Sequence, residues 1–356
     1  MAFAATRLDN LRRSFRQQKR TSMMDMKVLS KPLTASNQPQ THDPPQKFLY
    51  PLDDAGCSYE YTNSLINIGN QCEYEYLDTV DHNIGHGAYG DVYKGKAFDV
   101  GRQSFRPVAI KRMIEANVKC DELEAMKRIQ NPFLVSLIDI CHDENRFFAY
   151  IIMELCDIDL DRYLLTHTKD GFLSPTEYML VMQNLAFGYY GLFKQNIVHR
   201  DIKPQNVLLV LSPNNGNGIQ IAKLTDFGVC RVLDDSDGTL CNIAGTLGFM
   251  APEIGANVLK PNEYNYMVDI WSIGCVLFQI KTGHQPFDEK ELCRLFLHVA
   301  CNNSSAYDLE LELPEDTSES DALLIRGLLQ VDSNRRFTPN QLYSFALKSM
   351  HAKDYV

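Results

Sequence analysis

From about Glu75 onward, apolar positions come in short runs broken by single polar residues or turn signals. "DVYKGKAF" (91–98), "PVAIKRM" (107–113), "LVSLIDI" (134–140) and "FFAYIIMEL" (147–155) each predict a strand. After about Asp161 the pattern changes to longer helical runs. The least charged of these is "YMLVMQNLAFGYYGLF", sixteen residues from Tyr178 to Phe193 that include Gln183, Asn184 and two glycines. That is too short and too polar for a membrane span, and it predicts a buried core helix. A β-rich part of about 85 residues followed by an α-rich part of about 190 predicts an α+β protein of two unlike lobes. The first 75 residues differ: Pro32, Pro39, Pro44, Pro45 and Pro51 punctuate a polar stretch unable to sustain a helix or a central strand. The chain therefore divides into a disordered tail (1–55), a partly ordered lead-in (56–75) and a two-lobed domain (76–352). The N-lobe covers about 76–155 and the C-lobe about 156–352, and no internal repeat is visible.

Composition agrees with a large packed core, since 45% of the 356 residues are hydrophobic and 22% charged. The net charge of −10 is unevenly spread. Residues 1–31 carry eight Lys/Arg against Asp9 and Asp25, a local +6 that leaves −16 for the rest. An acidic body argues against a dedicated nucleic-acid binder. The basic tail reads as solvated, with docking to a partner or an anionic surface as the alternative. Leu8, Leu11 and Phe15 among the arginines would also suit an amphipathic import sequence, but no apolar signal-peptide core follows Met1. The ten cysteines form no CxxC pair and no zinc-ligand spacing. Their scatter through apolar stretches fits reduced thiols, hence an intracellular protein of the cytoplasm or nucleus.

Two stretches carry chemistry. "GHGAYGDV" places Gly85, Gly87 and Gly90 where a strand-turn-strand backbone can approach phosphate oxygens without interference from Cβ atoms. Alone it is a weak signal, because dinucleotide-binding folds use the same spelling before a helix. Here a strand pattern follows, and "VAIK" then projects Lys111 from an otherwise apolar run. The second stretch, "VHRDIKPQNVLL" (198–209), crowds His, Arg, Asp, Lys and Asn between apolar anchors, as a rigidly mounted catalytic loop would.

With "DFG" at 226–228, "APE" at 251–253, "VDIWSIG" at 268–274 and Arg336 in "DSNRRFT", these motifs follow the order seen in eukaryotic protein kinases, which the chain resembles from about Leu77 onward. The resemblance implies the two-lobed kinase fold, with ATP and magnesium as cofactors and protein hydroxyls as acceptors. It implies that Asp201 orients the acceptor hydroxyl and takes its proton, and that Lys203 lies against the γ-phosphate. Asn206 and Asp226 would hold magnesium, and Lys111 would contact the α- and β-phosphates. His199 would be structural, packing with Phe227. The acidic partner of Lys111 would be Glu122, with Glu124 the alternative; the two point in different directions on a helix, so only one can face the lysine. Met126 would join Leu137, Phe227 and His199 in an apolar column. For the nucleotide, the resemblance implies Ile84, Gly85, Gly87, Gly90 and Val92 from the glycine loop, and Ala109, Met153 and Leu208 around the adenine. Backbone groups of Glu154 and Cys156 would meet the adenine edge, and Asp159 the ribose.

Lys203 and Thr246 resemble the serine/threonine-specific branch, while Gln205 stands where arginine-directed kinases carry Glu. Arg200 before Asp201 implies control by a phosphate on the activation loop, with Thr239 favoured over Ser236 and Asn242 at the commonly phosphorylated position; an inactive or constitutively ordered loop is the alternative. "MELC", "DFGVC", "GTLGFMAPE" and the insertion "LSPNNGNGIQ" (211–220) are loosely similar to the kinase domain of inositol-requiring unfolded-protein-response sensors. No membrane segment or nuclease domain accompanies that likeness, so no RNA cleavage is expected. The Asn/Gly-rich insertion predicts a hairpin tip. In the tail, "RRSF" and "KRTS" offer Ser14, Thr21 and Ser22 to basophilic kinases. The alternatives are a non-catalytic kinase-like scaffold and a dinucleotide-binding oxidoreductase. Scaffolds usually lose the base, the metal-binding Asp or the strand lysine, all kept here, and an oxidoreductase would have no use for "HRDIKPQN".

Overall fold

The computed structural model describes residues 62, 64–69, 73–87, 90–99, 101, 103–213, 218–233, 239–261, 263–301, 307 and 309–351. The basic tail with Ser14, Thr21 and Ser22, as well as Ser236 and the hairpin tip at 214–217, lies outside them.

The N-lobe is an antiparallel sheet of seven strands: β1 (Leu65–Ile68), β2 (Tyr74–Leu77), β3 (Asn83–Gly87), β4 (Gly90–Asp99), β5 (Ser104–Ile114), β6 (Leu137–His142) and β7 (Phe148–Glu154). Their order is β1-β2-β4-β5-β7-β6, with β3 paired to β4. The sheet thus begins at Leu65, inside the stretch taken as a lead-in, because Tyr74–Leu77 pairs with β4 and carries β1 outward with it. The predicted strand over 134–140 is shorter than its sequence pattern, since β6 starts only at Leu137. Leu134 and Val135 are buried and instead bridge to Leu224, on the strand that leads into Asp226. One helix crosses this lobe, α1 (Cys120–Arg128).

The C-lobe is helical, as its sequence pattern predicts. The short α2 (Leu160–His167) leads to α3 (Pro175–Phe193), which carries the least charged run; Ser174 and Glu177 cap it reciprocally. It packs against the nearly wholly buried α5 (Met267–Thr282), which ends at Gly283 in the left-handed region, φ +83°. Around this pair lie α4 (Pro252–Ala256), α6 (Glu289–Ala300), α7 (Glu319–Leu328) and α8 (Pro339–His351). Among the described residues no helix is long and apolar enough to cross a membrane.

Short strands form the floor between the lobes. β8 (Ile158–Asp159), β10 (Val207–Leu211) and β11 (Ile219–Leu224) make one antiparallel sheet, and β9 (Ile197–Val198) pairs with β12 (Arg231–Val232). The polar stretch 199–206 is therefore slung between buried Val198 and Val207. The β10–β11 pairing is the hairpin predicted for the insertion. One continuous apolar core joins the lobes, running from Ala109 and Met153 through Met126, Leu185 and Phe227 to Trp271.

Candidate active site

Lys111 and its acidic partner lie across the interior of the N-lobe. In β5, Lys111 pairs with Val92 of β4 on one side and Ile151 of β7 on the other, so its neighbours in the strand are fixed by register. Its Nζ donates to Glu122 Oε1 at 2.6 Å and to Asp226 Oδ1 at 3.3 Å. Glu122 is buried in the first turn of α1, whereas Glu124 is exposed and pairs with Arg128 one turn on. The choice of Glu122 over Glu124 is thus the geometric one. Burial disfavours the Lys111 charge, but the Asp226 and Glu122 carboxylates outweigh it and push the ammonium pKa above its ordinary value. Burial likewise opposes ionisation of Asp226, yet Lys111, then His199, hold its carboxyl below the ordinary range.

Asp226 has φ +62°, a left-handed conformation that costs a non-glycine residue about 1–3 kcal/mol. Its surroundings maintain it: Gly228 N donates to Oδ1 at 3.4 Å, and His199 Nε2 sits 3.0 Å from the Thr225 carbonyl. The His199 ring packs on Phe227 with centroids 5.3 Å apart. Met126 and Phe227 share the core, with Leu137 against it, as the predicted column requires.

The loop around Asp201 is tied at both carboxylate oxygens. Thr246 Oγ1 donates to Asp201 Oδ1 at 2.7 Å, and Lys203 Nζ reaches Asp201 Oδ2 at 2.8 Å and Thr246 Oγ1 at 2.7 Å. Asn206 Nδ2 donates to the Asp201 carbonyl at 2.8 Å and to Oδ2 at 3.2 Å. The donor end of the Asn206 amide is thereby spent on the loop, and its oxygen is left as an acceptor. With the Asp226 carboxylate, that gives hard oxygen donors of the kind magnesium takes alongside phosphate oxygens, so the residues fit the ion.

The glycine loop joins β3 to β4. Gly90 has φ +146°, and a Cβ there would lie 2.2 Å from the Arg112 carbonyl, so no other residue fits this turn. Gly85 N donates to Asn83 Oδ1 at 3.1 Å, and Gly87 pairs with Gly90 across the hairpin. Ile84 is exposed and Val92 half-buried beside it. Ala109 and Met153 are direct cross-strand neighbours, and Leu208 of β10 is the cross-strand neighbour of Asp159. The Glu154 side chain turns away, taking Ser136 N at 2.7 Å and Lys223 Nζ at 2.8 Å, and its backbone N–H donates to the Ser136 carbonyl at 3.1 Å. Burial pushes the Cys156 thiol up to about 12, so it is a neutral thiol at physiological pH. Asp159 has a task the sequence reading missed: Oδ1 accepts from Arg162 N at 2.8 Å and caps α2, leaving Oδ2 for any ribose contact. Burial raises its carboxyl pKa against the pull of that cap.

The partners of several supporting residues also escaped the sequence reading. Fully buried Asp269, in α5, accepts from His199 N and Arg200 N, each at 2.7 Å. An acid inside the apolar run "MVDIWSIGCV" was the available signal. Lys119 Nζ donates to the Gly228 carbonyl at 2.7 Å, and Arg231 pairs with Asp121 at 2.5 Å, tying α1 to the segment after Asp226. Arg336 grips Glu253 through two bonds of 2.7 and 3.1 Å.

A two-lobed body with a glycine hairpin, a clamped lysine and a carboxylate loop at the lobe junction is the architecture of a phosphotransferase. The protein kinase domain family matches residues 79–346, and the chain belongs to that family. Its curated relatives place it on the serine/threonine side. It is 28% identical over 285 residues to serine/threonine-protein kinase atg1 of Dictyostelium discoideum, covering 77% of this chain and 40% of that one. It is 30% identical over 306 residues to serine/threonine-protein kinase ATG1 of Kluyveromyces lactis, covering 72% and 35%. It is also 29% identical over 267 residues to serine/threonine-protein kinase stk11 of Xenopus laevis, covering 73% and 58%. The chain therefore spans less than two thirds of the length of each of these relatives.

Proposed function

We propose that this protein transfers the γ-phosphate of Mg·ATP to serine and threonine hydroxyls of protein substrates, inside the cell and in a signalling role. The observation that carries the reading is the Asp201–Lys203–Thr246 cluster, in which one threonine hydroxyl bonds both the carboxylate and the ammonium. Thr246 holds Oδ1 while Lys203 and Asn206 hold Oδ2, so the carboxylate that would receive the acceptor's proton is fixed through both oxygens, with Lys203 on Oδ2. Lys203 stands beside that atom, where charge develops on the transferred group. Lys111, fixed by Glu122, orients the α- and β-phosphates, and the glycine loop covers them with backbone N–H groups. Magnesium held by Asn206 and Asp226 supplies charge neutralisation across the phosphates. Gln205 removes the carboxylate that would select arginine two residues before the target, so a peptide-array profile should show no dominant arginine there.

The test is transfer of labelled γ-phosphate to generic serine/threonine substrates by wild type and Asp201→Asn. Loss of the base should lower the rate by about 10²–10⁴-fold. Equal rates from the two proteins would refute the assignment.

A further inference from the structure

Arg200 adjoins the catalytic Asp201, and its buried guanidinium is the group that a phosphate on the activation segment would be expected to seek. In this structure four of its five N–H donors are already engaged. Nε and Nη2 both donate to the Val229 carbonyl, and Nη1 donates to Asn242 Oδ1 at 2.7 Å and to the Tyr264 hydroxyl at 3.2 Å. Its backbone is held as well, since the buried Asp269 carboxylate accepts the Arg200 backbone N–H at 2.7 Å.

Asn242 is itself braced. The Tyr264 hydroxyl lies 2.5 Å from the Asn242 carbonyl. Leu240 and Tyr264 exchange backbone bonds of 2.7 and 2.8 Å, and Asn257 Nδ2 holds the Cys241 carbonyl at 3.1 Å. Four residues further on, Thr246 bonds Asp201. Between them Gly245, at φ +102°, passes so near the catalytic loop that a Cβ would lie 2.3 Å from the Arg200 carbonyl. The segment from Leu240 to Thr246 is thus stitched to the catalytic loop at both ends.

We infer that Asn242 is a positioning residue whose amide oxygen stands in for a phosphate on Arg200, so that the stretch from Leu240 to Thr246 holds its place beside the catalytic loop without phosphorylation. This rests on the kinase reading above and specifies its regulation. It replaces the expectation that a phosphate on Thr239 orders the loop: Thr239 is exposed, and four of the five donors of Arg200 are spent on Val229, Asn242 and Tyr264.

The test uses the full chain, treated with phosphatase and shown by intact mass to carry no phosphate. Amide hydrogen exchange is read on peptides spanning 240–249 in wild type, Asn242→Ala and Asn242→Asp. Wild type should be protected without phosphate. Asn242→Ala should exchange at least tenfold faster there while α5 peptides keep wild-type rates, and Asn242→Asp, which returns an acceptor to Arg200, should restore protection. In the transfer assay Asn242→Ala should lose kcat with the KM for ATP unchanged. Wild-type protection that vanishes on phosphatase treatment, or an Asn242→Ala variant as protected as wild type, would overturn the inference. Should Asn242→Ala unfold as a whole, the comparison of phosphorylated with dephosphorylated wild type decides: equal protection supports the stand-in role, and phosphate-dependent protection refutes it. Exchange does not depend on turnover, so a protected segment in a protein that transfers no phosphate would count against the catalytic reading and leave this one standing.

Discussion

Asp269→Asn separates the shape of the catalytic loop's anchor from its charge. Asp269 is fully buried, and each carboxylate oxygen takes one backbone N–H, from His199 and from Arg200, at 2.7 Å. A hydrogen bond to a charged acceptor contributes about 1.5–3 kcal/mol. Asparagine keeps one acceptor and turns the other into an NH₂ facing an N–H, so one bond is lost and a buried donor is left unsatisfied, at about 1–3 kcal/mol. Arg200 also sits at φ +68°, a conformation the loop holds only while its surroundings enforce it. These two figures describe overlapping parts of one loss and do not add in full, so the cost is on the order of 2–4 kcal/mol. At roughly 2–4 °C per kcal/mol for a domain of this size, melting should fall by about 5–15 °C. Because the lost contact touches the residue beside Asp201, part of the cost should appear as a loop that leaves its working position. The corresponding ceiling on the fall in kcat is about 30- to 1,000-fold. Calorimetry and steady-state transfer rates measured on the same preparations read both quantities. A variant that melts within 2 °C of wild type and turns over within twofold of it would refute the view that Asp269 holds the loop.

Two further outcomes follow from buried ion pairs. The Arg336 side chain has no exposure, grips Glu253, takes the Met267 carbonyl at 2.7 Å and lies over the Trp271 ring; Arg336→Met should therefore cost about 3–5 kcal/mol, read as a lowered urea midpoint, and a loss below 1 kcal/mol would contradict it. The Lys111 pKa is raised, so its contribution to stability is complete below the ordinary lysine value of about 10.4 and is lost only above it. The Asp226 pKa is lowered, so its contribution is complete above the ordinary carboxylate value of about 3.9 and is lost only below it. In Lys111→Met the buried Asp226 loses the cation that holds its pKa down, so the melting deficit against wild type should grow as pH rises from 5 to 9, and a deficit that is flat over that window would mean the lysine is not clamped by these two carboxylates.

Whatever the chemistry demanded of residue type was legible in the chain. The tight turn needs glycine at Gly90, where a Cβ would strike the Arg112 carbonyl, and the resemblance marked Asn206 and Asp226 as the proposed magnesium holders, whose hard oxygens suit that ion. Glu122 was legible through the resemblance, by its distance from Pro132, and the structure buries it while Glu124, two positions on, is exposed. What escaped was pairing over distance. The β1 strand is four residues long, too short for alternation to stand out, and only its pairing with β2 shows that it belongs to the sheet. Asp159 had a helix-cap signature in "DIDLDRYL" that a ribose role obscured, although one carboxylate has an oxygen for each. Asp269 and Asn242 show the limit most clearly. The sequence told that Arg200 could hold an anion, because a buried guanidinium beside a catalytic carboxylate has few other uses. Which acceptor fills its fork is decided 42 residues later, by an asparagine that folding places 2.7 Å from Nη1 and that no periodicity marks. The same arginine in the same motif can therefore wait for a phosphate or be satisfied without one. Here Asn242 and the Tyr264 hydroxyl tip it to the second, since each accepts from the guanidinium as a phosphate oxygen would, and the bridge at Leu240 braces them.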